Sequence, residues 1–141
     1  MINSRAISDL APRVATKCYA FIDRCQTDGI RVLITSTYRD KEAQDALYAK
    51  GRTAPGNKVT NVAGGRSFHN WRVAFDFVPL DANGNPDWAD EDLWQRCGAI
   101  GQECGLEWGG AWSGFVDKPH MQDVGGTIAQ YQSGEVVEVF G

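Results

Sequence analysis

No stretch of the 141-residue chain approaches the roughly 20 apolar residues needed to span a bilayer, and the opening MINSRAISDLAPR has no apolar core of signal-peptide length. Membrane insertion is therefore not expected. The chain reads as one made in the cytoplasm, and a target beyond the inner membrane would need another agent to release it. Basic charge is also scarce: 14 Lys and Arg stand against 18 Asp and Glu, a formal net charge of -4, and no basic run is interleaved with aromatics. That balance excludes the electrostatic footprint of a nucleic-acid binder. It also gives no long-range attraction to an anionic polymer, so affinity for one would have to come from a cleft. Low-complexity tracts and internal repeats are missing as well. With 43% hydrophobic and 23% charged residues, the chain reads as one globular domain over residues 1–141, expected to be monomeric and without a second binding module.

Cysteine is present without the spacing of a metal site. Cys18, Cys25, Cys97 and Cys104 form two pairs, each seven residues apart, in segments with helical periodicity, so each pair shares a helix face. No CxxC occurs, which argues against structural zinc there. Buried free thiols are the expectation, and a bridge between the two helices is the alternative.

Apolar residues from Ser8 to Asp28 recur at three- and four-residue steps and predict a helix with Pro12 in its first turn and Gly29 at its end. Arg31 to Tyr38 reads as a short buried strand, and Asp40 as the cap of a second helix stopped by Gly51. Residues 52–66 are a Gly-, Pro- and Asn-rich loop of functional length. In the strand Val73 to Val78, Val73, Phe75 and Phe77 share one face and Asp76 lies on the other. Asp90 caps a third helix running through Leu93, Trp94, Cys97 and Ile100 toward Gly105, and short strands are expected around LEWGG, FVDK and PHMQ. Helices and strands joined by long loops, without βαβ regularity, indicate an α+β domain with a small antiparallel sheet and about three helices.

The chain has only two histidines, His69 and His120, and each has an acid close by: Asp76 after the first and Asp117 before the second. Two imidazoles and one carboxylate suffice for a catalytic zinc that keeps a fourth position for water, and a carboxylate that is not a ligand can serve as general base. On spacing alone, surface or hydrogen-bonded core histidines remain the commoner reading.

The stretch SFHNWRVAFDF (Ser67 to Phe77) resembles the SxHxxGxAxD signature of the VanY-like and LD-carboxypeptidase-like zinc peptidases. VDKPHMQ (Val116 to Gln122) resembles their second signature, a carboxylate three residues before a histidine. ITSTYRDKEAQDALYAKGRT is similar to the family's arginine-bearing strand and helix, and LEWGGAWSGFVDKPHMQ to the end of phage endolysins, so the likeness covers about residues 5 to 122. Within the family it is strongest to the L-alanyl-D-glutamate endopeptidases that phages use to lyse their hosts.

The resemblance implies a hedgehog/DD-peptidase-like fold and one zinc ion held by His69, Asp76 and His120. It makes Asp117 the catalytic base and Arg39 the cation for the oxyanion or a substrate carboxylate. Ser67 and Gln44 fall near the cleft, either on the substrate or in support of it. The implied substrate is the peptidoglycan stem peptide, cut for host lysis with no wall-binding domain, after release through a holin-type lesion. A D-alanyl-D-alanine carboxypeptidase or dipeptidase, and an inactive zinc-binding module, are the competing readings. Arg72 departs from the signature, which has glycine there; either its backbone takes a glycine-like conformation with the side chain in solvent, or it lines the cleft and reads an anionic peptide. Asp81, Asn83, Asn85 and Asp87 alternate as in a calcium loop, but Pro86 stands where such a loop needs glycine, so calcium is not expected. The five tryptophans read as core or cleft wall.

Overall fold

The computed structural model describes residues 1–139. A 3-10 turn at Ile7–Asp9 precedes helix α1 (Pro12–Thr27), followed by strand β1 (Val32–Ser36) and helix α2 (Lys41–Ala49). A second 3-10 turn at Phe68–Trp71 leads into β2 (Ala74–Pro79), then α3 (Glu91–Glu103), β3 (Glu107–Trp108), a third 3-10 turn at Gly109–Ala111, β4 (His120–Gln122) and α4 (Ile128–Ser133). The strands form one sheet in the order β1-β2-β4-β3, each neighbour antiparallel.

Local chemistry accounts for the helix boundaries. Pro12 opens α1, where its missing N–H would be unpaired in any case. Asp40 accepts from the Ala43 amide at 2.8 Å and Asp90 from the Leu93 amide at 3.0 Å, so both expected caps are in place. One face of α1 buries Val14, Cys18, Phe21 and Cys25 against the sheet and α3. Phe21 packs its edge on Phe77 at a ring separation of 5.0 Å, and Phe77 meets Trp94 of α3 at 5.3 Å. Removing one such buried aromatic costs roughly 3–5 kcal/mol. Cys18, Cys25 and Cys97 are buried free thiols, with Cys104 half-buried; burial pushes the Cys18 thiol up to about 12.

Two sequence expectations are corrected. FVDK forms no strand; Phe115 and Val116 lie exposed in the loop before β4, and neither makes a backbone hydrogen bond among the described residues. The short helix α4 was not anticipated, because it buries only Tyr131 and so carries no apolar period. Among the described residues, no helix is long and apolar enough to cross a membrane.

The C-terminal segment is held to α1 by charge. Arg13 donates to both oxygens of Glu138, at 2.8 and 3.0 Å, and to Asp123 at 2.7 Å; the Tyr131 hydroxyl also donates to Glu138 at 2.6 Å. Burial would raise the Glu138 pKa, but Arg13 and Tyr131 outweigh it and hold the carboxyl below its ordinary value. A depressed carboxylate pKa contributes stability above the unfolded value of about 4.3, and this is lost as pH falls through the folded value. Glu138→Gln is accordingly expected to lower the melting temperature near neutral pH and to flatten its fall between about pH 5 and 3. An unchanged acid limb in the melting curves would refute the clamp.

Candidate active site

The bulky residues of β2 set which face carries chemistry. Phe75 and Phe77 enter the core beneath α1, so Asp76 projects from the opposite face, and strand register lines up its neighbours. Asp76 is paired with His120 of β4 on one side and with Ser36 of β1 on the other. An irregularity between Ile34 and Ser36 in β1 brings Ser36, rather than Thr35, opposite Asp76. Gln122, two residues beyond His120 and on the same face, pairs with Glu107 of β3.

His69 arrives from the turn Phe68–Trp71. The Ser67 hydroxyl accepts from the His69 amide at 3.2 Å, and the Asn70 side-chain oxygen accepts from the Ser67 amide at 3.1 Å, a reciprocal cap. The Asn70 amide also donates to the Arg39 carbonyl at 2.8 Å, and the Arg39 amide to the His69 carbonyl at 3.2 Å, tying the turn to the segment after β1. Arg72 closes the turn at φ 66°, ψ 25°, a left-handed conformation in which glycine has no steric penalty. Its guanidinium stacks on Tyr38 at 3.8 Å and donates to the Asp9 carbonyl at 2.9 Å. Arg72 thus has the glycine-like backbone of the first sequence alternative, while its side chain packs on Tyr38 and Asp9 instead of standing free in solvent. It borders a cavity of about 400 Å³ with Trp71, Tyr131 and Glu138, and none of His69, Asp76 or His120 lines that cavity.

One ligand atom each from His69, Asp76 and His120 lies within 4.8 Å of the others. His69 Nε2 is 3.2 Å and His120 Nδ1 3.4 Å from the same oxygen of Asp76. The other nitrogen of each ring is engaged elsewhere: His69 Nδ1 meets the Thr37 carbonyl at 2.8 Å and His120 Nε2 the Gln122 side-chain oxygen at 2.7 Å. Those partners are acceptors, so the outer nitrogens carry the protons. Two bare imidazole nitrogens and an acceptor-only carboxylate then converge, an arrangement a cation satisfies. Between protein groups alone, burial would raise the Asp76 pKa, but His69 and His120 outweigh it and hold the carboxyl well below the usual range. Burial likewise opposes the charge on His120, and Asp76 overrides it, raising that imidazole's pKa.

Arg39 lies beside the carboxylate, its Nη2 4.0 Å from Asp76 and 3.0 Å from the Ser36 hydroxyl, and its Nη1 2.9 Å from the Gln44 oxygen. Its Nε is buried without a hydrogen-bond partner among the described residues. Gln44 is fully buried; its amide nitrogen donates to the Val62 carbonyl at 2.8 Å and, more weakly, to Thr60. Gln44 thus links Arg39 to the loop after α2. The Ser67 hydroxyl is likewise occupied in the turn that carries His69.

Asp117 sits in the loop before β4. Its amide donates to the Gly109 carbonyl at 3.0 Å, and its carbonyl accepts from the His120 amide at 3.2 Å. A Cβ on Gly109 would stand 2.3 Å from the Asp117 carbonyl oxygen, so glycine permits this approach. Burial raises the Asp117 pKa above its ordinary value, with the charge of Asp76 adding and the histidines opposing. Beside it opens a cavity of about 350 Å³, walled by Trp88, Trp94, Val116 and Pro119. In the turn Asp81 to Asp87, the Asp81 carboxylate accepts from the backbone amides of Asn83 at 2.9 Å and Asn85 at 3.0 Å. Sequence reasoning passed over Thr37, Gln122 and Glu107. For Gln122 the signal was available, since HMQ places it two residues from His120 on the same strand face.

The fold is one shared with solved cell-wall peptidases, VanY among them. Solved structures sharing the fold include the L-Ala D-Glu endopeptidase ChiX of Serratia marcescens, with TM-score 0.63, 20% identity, and 87% of this chain and 89% of that chain covered. Another is the D,D-pentapeptidase VanY in complex with Zn(II), with TM-score 0.60, 15% identity, and 88% and 76% covered. The family model Peptidase_M15_4, described as D-alanyl-D-alanine carboxypeptidase, matches residues 60–123. The peptidoglycan L-alanyl-D-glutamate endopeptidase CwlK of Bacillus subtilis is 37% identical over 123 residues, covering 82% of this chain and 74% of the relative. The L-alanyl-D-glutamate peptidase of Listeria phage A118 is 34% identical over 118 residues, and the chain spans 38% of its length. The chain belongs to this peptidase family.

Proposed function

We propose that the chain is a zinc-dependent peptidoglycan endopeptidase that hydrolyses the L-alanyl-D-glutamate bond of the stem peptide, in the service of host cell lysis. The observation that carries this reading is the convergence of His69, Asp76 and His120 next to Asp117, in a chain whose relatives are named for that activity. One zinc ion at the three donors would lower the pKa of a bound water and polarise the scissile carbonyl. Asp117 accepts the proton of the attacking water and returns it to the leaving amine, and its burial-raised pKa suits a group that must hold that proton. The Arg39 guanidinium, fixed by Gln44 and Ser36, faces the negative charge that develops on the carbonyl oxygen. The cavity walled by Trp88, Val116 and Pro119 gives the substrate room on the Asp117 side.

The family model's description favours a second reading, a D-alanyl-D-alanine carboxypeptidase with the same ligands and base. Digestion of purified peptidoglycan separates the two. The expected products carry a new D-glutamate amine; release of free D-alanine instead would establish carboxypeptidase action. Clearing of permeabilised cells that persists in the presence of a chelator would overturn both.

A further inference from the structure

The face of His120 turned away from Asp76 leads into a chain of hydrogen bonds that the proposed reaction does not use. His120 Nε2 donates to the Gln122 oxygen at 2.7 Å, and the Gln122 amide nitrogen donates to Glu107 Oε2 at 3.1 Å. The same Glu107 oxygen accepts from the Trp112 indole at 2.7 Å, and the Trp112 ring lies 5.3 Å from that of His120. Gln122 is buried, and the strand register that sets it opposite Glu107 also sets His120 opposite Asp76.

A side-chain amide can present either end to a neighbour, so Gln122 alone could face His120 as donor or as acceptor. A carboxylate cannot, since an ionised glutamate only accepts. Glu107 therefore draws the amide nitrogen toward itself, which turns the Gln122 oxygen to His120. An oxygen there requires a proton on Nε2, and a neutral imidazole protonated at Nε2 is bare at Nδ1. We propose that Glu107, held by Trp112 and acting through Gln122, is the positioning group that fixes His120 in the tautomer with Nδ1 free for the metal. The effect on zinc rests on the reading of His120 as a ligand; the effect on the tautomer does not. Asp76 cannot supply this control, because a carboxylate beside Nδ1 favours the opposite tautomer whenever no cation lies between them.

Two measurements on the full chain test the relay: zinc affinity by competition with a chromogenic chelator, and the protonation pattern of the imidazole nitrogens by 15N NMR of zinc-free protein at alkaline pH. Gln122→Leu is expected to weaken zinc binding about 10- to 100-fold, the range of outer-shell substitutions, and to move the His120 proton toward Nδ1. The exchange Q122E/E107Q keeps one carboxylate and one amide in the relay with their positions reversed, and still offers His120 an acceptor. It is expected to return zinc affinity to about that of the parent and to keep the His120 proton on Nε2, and the second readout is one that a merely structural role for Gln122 would not govern. A parent protein with His120 protonated at Nδ1, or a folded Gln122→Leu variant with parental zinc affinity, would overturn the proposal. Failure of the parent to take up zinc would sink the metal reading instead, and the NMR pattern would still decide the relay.

Discussion

Asp117→Ala is expected to keep zinc bound while losing hydrolysis of purified peptidoglycan by about 10²- to 10⁴-fold, the usual contribution of a general acid–base group. The two outcomes separate because Asp117 reaches the site from the loop before β4, whereas the three donors are placed by the Phe68–Trp71 turn and by paired strands. Its backbone contacts to Gly109 and His120 involve main-chain atoms that alanine retains. Zinc content and melting temperature are therefore expected to match the parent. An active variant would remove Asp117 from the mechanism, and an inactive variant without zinc would make it a ligand or a structural support.

Removing the metal is the second large effect. At a zinc concentration a thousandfold above its dissociation constant, binding contributes about 4 kcal/mol to the folded state. For a domain of 141 residues, that corresponds to a fall in melting temperature on the order of 10 °C when a strong chelator is added. Activity is expected to vanish with it, and stoichiometric zinc to restore both. Asp76→Ala is expected to mimic the chelated state and not respond to added zinc, since it removes the acceptor on which both imidazoles converge. A melting curve indifferent to chelator would count against a bound ion.

Much of this architecture was legible in the residues themselves. The alternation of Val73, Phe75 and Phe77 already put Asp76 on the face away from the core, because a period of two leaves a strand no other choice. The caps at Asp40 and Asp90 were readable because a short oxygen-bearing side chain just before an apolar period has few other uses. FVDK misled because apolar and β-branched residues mark a strand only when a partner strand is available, and among the described residues Phe115 and Val116 pair with none. The role of Gln44 could not be read from its position. Only the folded chain shows that α2 turns it inward between Arg39 and the Val62 carbonyl. Arg72 occupies a glycine position for a reason equally absent from the string of letters: its stacking on Tyr38 and its hydrogen bond to Asp9 offset the strain of a left-handed backbone.

The irregularity in β1 and the pairing of Asp76 with His120 also bear on when the enzyme can work. A slip of one residue between β2 and β4 would send Asp76 into the oily interior and His120 away from it. A nascent or half-folded chain thus has no weakened form of the catalytic centre, only scattered donors. Under the proposed function, hydrolysis is expected only once these strands are in register, and metal uptake would serve as a gauge of that moment.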